Sequence, residues 1–242
     1  MTLVDQTEKA NLLRQYHLKQ PILVLPNAWD VASAVQLAKL DGCRALATTS
    51  SAVARSLGWE DGEQAPAEEM IRVAARIAAA VDVPVTADLE RGYGDFAGTA
   101  QAAWEGGVVG MNFEDSSAQD GLVAIDEQVA AIRSIRDAVP ELVLNARVDV
   151  YLRRAGGVDE AVERANTYLA AGADCTYPIF CPTEHIAELT NRIDGPVNVL
   201  AGPGVPAPAE LQALGVARMT WGGGLASFAY AEAARVVAEA LG

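Results

Sequence analysis

A chain of 242 residues, 51% of them hydrophobic, can bury a sizeable core, and its length permits one α/β barrel or two smaller domains. Its 32 acidic and 18 basic side chains leave a net charge of −14, which offers nothing to offset phosphate repulsion and argues against nucleic acid and anionic membrane surfaces as partners. Three cysteines without C-x-x-C spacing and only two histidines disfavour a disulfide framework and a zinc site, so any metal is expected to have oxygen ligands and to be a hard ion such as magnesium.

The N-terminus has no apolar segment behind positive charge, and no later stretch reaches the roughly 18 apolar residues of a membrane span. A soluble, cytoplasmic protein is expected. A leading helix is predicted over residues 6–17. Beyond it the chain repeats a unit of about thirty residues, a short apolar run followed by an amphipathic stretch, which marks βαβ organisation. The runs predict strands at 22–25, 45–49, 83–88, 108–114, 142–147, 175–179, 197–201 and 218–221. Helices are predicted at 31–39, 67–80, 96–104, 126–138, 158–171, 183–192, 208–214 and 226–241.

No linker, charge run or low-complexity tract divides these eight units. The expected fold is therefore a single α/β domain over residues 1–242, a (β/α)8 TIM barrel with an extra N-terminal helix. An open doubly wound sheet would predict a G-x-G-x-x-G or G-x-x-x-x-G-K-[ST] loop after an early strand, and neither is present.

In a barrel the active site is built at the C-terminal ends of the strands. Those positions carry Asn27, Trp29 and Asp30 after the first strand and Thr48, Thr49, Ser50 and Ser51 after the second. The third strand stops at Asp88 and Glu90 and breaks at Gly92 and Gly94; a period of two would aim both acids into one space. Such a pair needs a divalent cation or a shared proton between its members. Glu114 and Asp115 follow the fourth strand, and Asn145, Arg147 and Asp149 the fifth. Acids on strands three and four beside an arginine on strand five describe a cation site next to an anion-binding side chain. Asp115 and Asp149 read more simply as loop or helix caps. The hydroxyl run 48–51 is either a cap or a cradle for a carboxylate, and Arg147 is either a counter-ion for Glu114 or a substrate ligand as well. Glycines at 202, 204 and 222–224, after strands seven and eight, keep a phosphate-sugar isomerase or aldolase open as an alternative.

Taken together, Pro26-Asn27-Ala28-Trp29-Asp30, Asp88-Leu89-Glu90-Arg91-Gly92-Tyr93-Gly94, Asn112-Phe113-Glu114-Asp115 and Asn145-Ala146-Arg147-Val148-Asp149 resemble the isocitrate lyase and phosphoenolpyruvate mutase superfamily, in order and spacing over nearly the whole chain. The resemblance implies a magnesium enzyme, with manganese possible as a substitute, that breaks or rearranges a C–C or P–C bond next to the carbonyl of a small anionic substrate through an enolate. It implies Asp88, Glu90 and Glu114 as the metal acids, the latter two directly or through water. Asp61 would close on the site from the loop after strand two; Asp61, Glu114 and Arg147 would be the catalytic set. Trp29, Thr48, Thr49, Ser50, Asn145 and Arg147 would hold the substrate. A homo-oligomer, dimer or tetramer, exchanging its C-terminal helix is also implied. The chain departs from the superfamily in two places: Glu90 stands where an aspartate is usual, and the loop 116–121 holds no cysteine, lysine or histidine to gate the known lyase and mutase reactions. Decarboxylation or hydrolysis of a small oxo acid, or a non-catalytic oxo-acid-binding barrel, is compatible with that loss.

Overall fold

The computed structural model describes residues 3–117 and 121–242. Eight parallel strands follow the predicted order: β1 Leu23–Leu25, β2 Leu46–Thr48, β3 Val85–Asp88, β4 Gly110–Phe113, β5 Val143–Val148, β6 Cys175–Pro178, β7 Asn198–Leu200 and β8 Arg218–Thr220. Strands β2 to β6 pair in sequence, β7 pairs with β8, and β8 pairs with β1. Two joints close the ring. Pro26 has no N–H and interrupts the first strand, but its carbonyl accepts from Ala47 N, and Asn27–Ala28 resumes pairing along β2. On the far side a single bridge, Thr176 to Val197, joins β6 to β7.

The helices α1 Leu3–Leu18, α2 Val31–Ala38, α3 Ser50–Leu57, α4 Ala67–Ala79, α5 Phe96–Glu105, α6 Ile125–Ala138, α7 Val150–Arg153, α8 Val158–Ala171, α9 Ile186–Arg192, α10 Pro208–Ala213 and α11 Gly224–Leu241 surround the strands. Outward-facing Met111, Phe113, Leu144 and Ala146 pack with Ile77 and Ile132 of the helix ring. Inward-facing residues form a separate cluster in which Leu23, Leu25, Ala45, Ala47 and Val143 meet Ala10 and Leu13 of α1. The helix α1 thus plugs the N-terminal mouth of the barrel. Gly110 makes this possible, because a Cβ there would stand 2.8 Å from Val143 O and 3.1 Å from Leu13 Cδ2. Above the plug the lining turns polar, with buried Thr86, Asn112, Asn145, Asn198 and Arg218. Arg218 Nη2 donates to Asn112 Oδ1 at 3.3 Å, and Asn145 Nδ2 donates to the same oxygen at 2.8 Å.

The structure differs from the sequence expectation in three places. Helix α3 fills the β2 connection, because Thr49 stays extended while the chain from Ser50 onward turns helical and ends at left-handed Gly58. The short helix α7 follows β5 and ends on left-handed Arg154. Ser116–Ser117 and Gly121–Leu122 form an antiparallel hairpin; residues 118–120 of the expected gating loop lie outside the described residues. The last helix leaves the barrel, with Ala226 its one buried residue and Phe228, Val236, Val237 and Leu241 exposed.

Candidate active site

The C-terminal mouth begins with Asp88, the last residue of β3. Its main-chain N–H donates to Thr48 Oγ1 at 3.0 Å, locking the end of β3 to β2. Its Oδ2 accepts from Ser50 twice, from N at 3.2 Å and from Oγ at 3.1 Å, at the start of α3. Its Oδ1 is buried and has no protein partner. The hydroxyls of Thr48 and Ser50 therefore serve Asp88 first. Thr49 Oγ1 lies 3.2 Å from Ser51 Oγ, and both residues face the cavity over the barrel mouth.

Glu90 does not continue the strand. Strand β3 ends at Asp88, Leu89 is buried, and Glu90 takes φ +51, so the expected same-side geometry of the two acids does not carry past the strand end. Its carboxylate accepts from Glu63 N at 2.6 Å and from Tyr93 Oη at 2.9 Å. Burial first, then the Asp61 and Asp88 charges, push its pKa up to about 7. Tyr93 is placed by the turn: it takes φ +55 between Gly92 and Gly94, and Gly92 itself, at φ +78, leaves a Cβ only 3.2 Å from Phe96. Neither Glu63 nor Tyr93 was singled out from sequence; an aromatic residue between two glycines at a strand end was the available sign. Asp61 comes from the turn between α3 and α4 and stands at the exposed rim. Desolvation there and the Asp88 charge raise its pKa, while Ser50 and Arg147 oppose the shift.

Arg147, on β5, binds Asp149 as a fork, with Nε to Oδ1 at 2.8 Å and Nη2 to Oδ2 at 2.9 Å. Its Nη1 donates to Glu114 Oε1. Burial drives the Glu114 pKa well above the usual carboxylate range, with Asp149, Asp88 and Glu90 adding to it and Arg147 pulling it back. The arginine keeps its charge, because the paired acids outweigh its own desolvation. Asp115 and Asp149 read as caps in the sequence, but their side chains are buried anchors: Asp149 precedes α7 without capping it. Asp115 accepts from Asp149 N at 2.7 Å and from Tyr168 Oη at 2.8 Å, and Asp149 anchors both Arg147 and Ser116.

Asp61, Asp88 and Arg147 line one cavity of about 760 Å³. Asp61, Glu90, Glu114 and Arg147 line a smaller one of about 130 Å³. Asp61 and Arg147 are common to both, so the predicted acids and the arginine do converge. Three predicted substrate residues stand apart from these cavities. Thr48 is buried beneath them, its Oγ1 taken by Asp88 N. Asn145 lies a layer below Arg147, bonded to Asn112. Trp29 packs edge-on against Tyr230 of α11 with ring centroids 6.0 Å apart. Asn27 ties the mouth together, its Oδ1 accepting from Trp221 N and Gly222 N and its Nδ2 donating to Thr48 O.

Among the described residues no three acid, histidine or cysteine side chains form a preformed ligand shell for a metal. The donor chemistry nevertheless fits a hard cation held by few protein ligands. Asp88 Oδ1 is an unpartnered buried carboxylate oxygen, and the pKa values of Asp61, Glu90 and Glu114 are raised by burial first and then by neighbouring carboxylate charge, which a cation would offset. Magnesium commonly keeps several waters and takes only one or two carboxylates directly.

A closed parallel barrel with buried acids and an arginine converging on its C-terminal mouth is the architecture of an α/β-barrel enzyme. Residues 13–241 match the family described as phosphoenolpyruvate phosphomutase, and the chain belongs to that family, within the phosphoenolpyruvate mutase and isocitrate lyase superfamily of lyases and mutases acting on small carboxylates and phosphonates. A Bacillus subtilis relative, 2-methylisocitrate lyase, is 31% identical over 209 residues, covering 81% of this chain and 68% of its own. An uncharacterised Mycobacterium tuberculosis protein is 39% identical over 224 residues, 89% of this chain and 84% of that one. Among solved structures, a Burkholderia cenocepacia chain named as a lyase/mutase superimposes with a TM-score of 0.91 at 35% identity, covering 97% of this chain and 89% of the other. Oxaloacetate acetylhydrolase bound to the inhibitor 3,3-difluorooxalacetate superimposes with a TM-score of 0.86 at 25% identity, covering 96% of this chain and 86% of its own. Among the described residues no helix is long and apolar enough to cross a membrane.

Proposed function

We propose that the protein is a magnesium-dependent lyase or mutase, with manganese able to substitute, acting on a small 2-oxo or 2-hydroxy carboxylate or a phosphonate analogue. It breaks or rearranges the C–C or P–C bond next to the carbonyl through an enolate. The observation that carries this reading is the unpartnered, buried Asp88 Oδ1 at the floor of a cavity shared with Asp61 and Arg147. Asp88 would hold the cation, with Glu90 and Glu114 reaching it through water. When bound, the cation supplies Lewis-acid polarisation of the carbonyl oxygen.

The remaining roles belong to the chain. Ser50 fixes the Asp88 carboxylate through two donors to one oxygen, leaving the other free. A guanidinium has five N–H donors. Three of those of Arg147 are committed to Glu114 and Asp149, and the rest remain for an anionic oxygen of the substrate. Glu90, with a pKa of about 7, can exchange a proton near neutrality, and Asp61, its pKa raised, stands at the rim on the solvent side of the site. Thr49 and Ser51 offer hydroxyls to the substrate carboxylate. The exposed apolar side chains of α11 support a homo-oligomer in which that helix packs on a partner.

Asp88→Ala, assayed with and without magnesium against oxaloacetate, methylisocitrate and phosphonopyruvate, tests the reading. Turnover that needs the metal and falls by at least about a hundredfold in the variant is expected. Turnover indifferent to both metal and substitution refutes it.

A further inference from the structure

The large cavity has two unlike walls. Thr49, Ser50, Asp61, Asp88 and Arg147 make the polar one. Opposite stand Val199 and Leu200 of β7, with Ile179, Phe180, Val205 and Trp221 on the connections that follow β6, β7 and β8. Arg147 is the one cation lining this cavity among the described residues, and it is already bonded to Glu114 and Asp149. A second carboxylate on the substrate, pressed toward the far wall, would shed its water and meet no cationic side chain; Thr183 and the main chain of residues 222–224, which also line the cavity, offer only neutral donors.

Phe180 sharpens the point. It is 56% exposed and holds φ +59, a left-handed conformation that is uncommon for a residue other than glycine. A bulky ring kept exposed over a cavity in a costly backbone conformation is the arrangement expected of a ligand clamp. The space agrees. An apolar cavity of about 150 Å³ accepts benzene, whereas this one measures about 760 Å³, far more than a short oxo acid fills.

We infer that the substrate is a 2-oxo or 2-hydroxy acid whose chain ends in an apolar group, a branched alkyl or an aromatic ring, rather than in a second carboxylate. The inference rests on the proposed function, which puts the carboxylate and carbonyl end at Asp88 and Arg147. The apolar end then lies against Phe180, Leu200 and Trp221.

Calorimetric titration of the full-length protein with magnesium present, using 4-methyl-2-oxopentanoate, phenylpyruvate, oxaloacetate and 2-oxoglutarate, provides the test. The two apolar acids should bind at least tenfold more tightly than the two dicarboxylates. Phe180→Ala should weaken phenylpyruvate about tenfold while leaving oxaloacetate little changed, since half a large side chain's burial is lost. Val205→Arg should reverse the order by giving the far wall a cation; thermal melts establish that both variants are folded. Oxaloacetate binding as tightly as phenylpyruvate, or Val205→Arg leaving the order untouched, overturns this inference and leaves the metal-dependent oxo-acid reading standing. No binding by any of the four acids overturns both.

Discussion

His17 gives the clearest quantitative expectation. It lies near the end of α1, buried where that helix plugs the barrel, with Nδ1 2.8 Å from Leu13 O. A carbonyl cannot donate, so Nδ1 carries the proton in this contact and Nε2, which is buried without a partner, is the bare nitrogen. Burial, and next the Arg218 charge, lower its pKa from 6.5 to about 4. The unfolded chain therefore binds a proton below about 6.5, whereas the folded protein binds it only below about 4. Between those values the unfolded state holds more protons, so stability rises with pH. The contribution is fully present above pH 6.5 and lost as pH falls to 4. At about 1.4 kcal/mol per pKa unit the window is worth roughly 3 kcal/mol. His17→Leu removes the titrating group. Urea unfolding of both proteins between pH 4 and 7 should show the variant gaining roughly 3 kcal/mol on the native protein as pH falls, with other titrations cancelling in the difference. Curves that stay parallel through this range would refute the argument.

Arg147→Met should leave the Glu114 and Asp149 carboxylates buried without their cation and cost about 3 to 5 kcal/mol of stability, measured by chemical denaturation. Tyr168→Phe removes a hydroxyl that donates to Asp115 and accepts from Arg164, and should cost about 1 to 3 kcal/mol, with activity changed far less than by any variant at Arg147.

Much of the architecture is legible in the sequence because it is periodic. Seven of the eight predicted runs contain the observed strand and the fifth, 142–147, stops one residue short of Val148; the acids and the arginine at strands three to five stand at the C-terminal mouth. The partnering of polar groups is not legible, because it depends on pairs far apart in the chain. Ser50 and Asp88 are 38 residues apart, and the hydroxyl that reads as a substrate cradle is occupied with that carboxylate. Glu90 turns away because the strand stops two residues before it, and an alternation rule has no knowledge of where a strand ends. The apolar wall escapes notice for a different reason. Its residues come from the end of β7 and from three separate βα connections, each ordinary by itself, and acquire meaning only when the ring closes.

The two joints that close that ring divide it unequally. Pro26 interrupts one seam, and the other is held by a lone bridge beside Pro178 and Pro196, residues that cannot donate to a ladder. One arc, from Asn27–Ala28 through β6, carries the charged wall; the other, β7, β8 and β1, supports most of the apolar wall. A ligand gripped by both is therefore a staple across the weaker seam. Occupancy should be readable as slowed amide exchange in β7 and β8, strands that touch none of its charged groups.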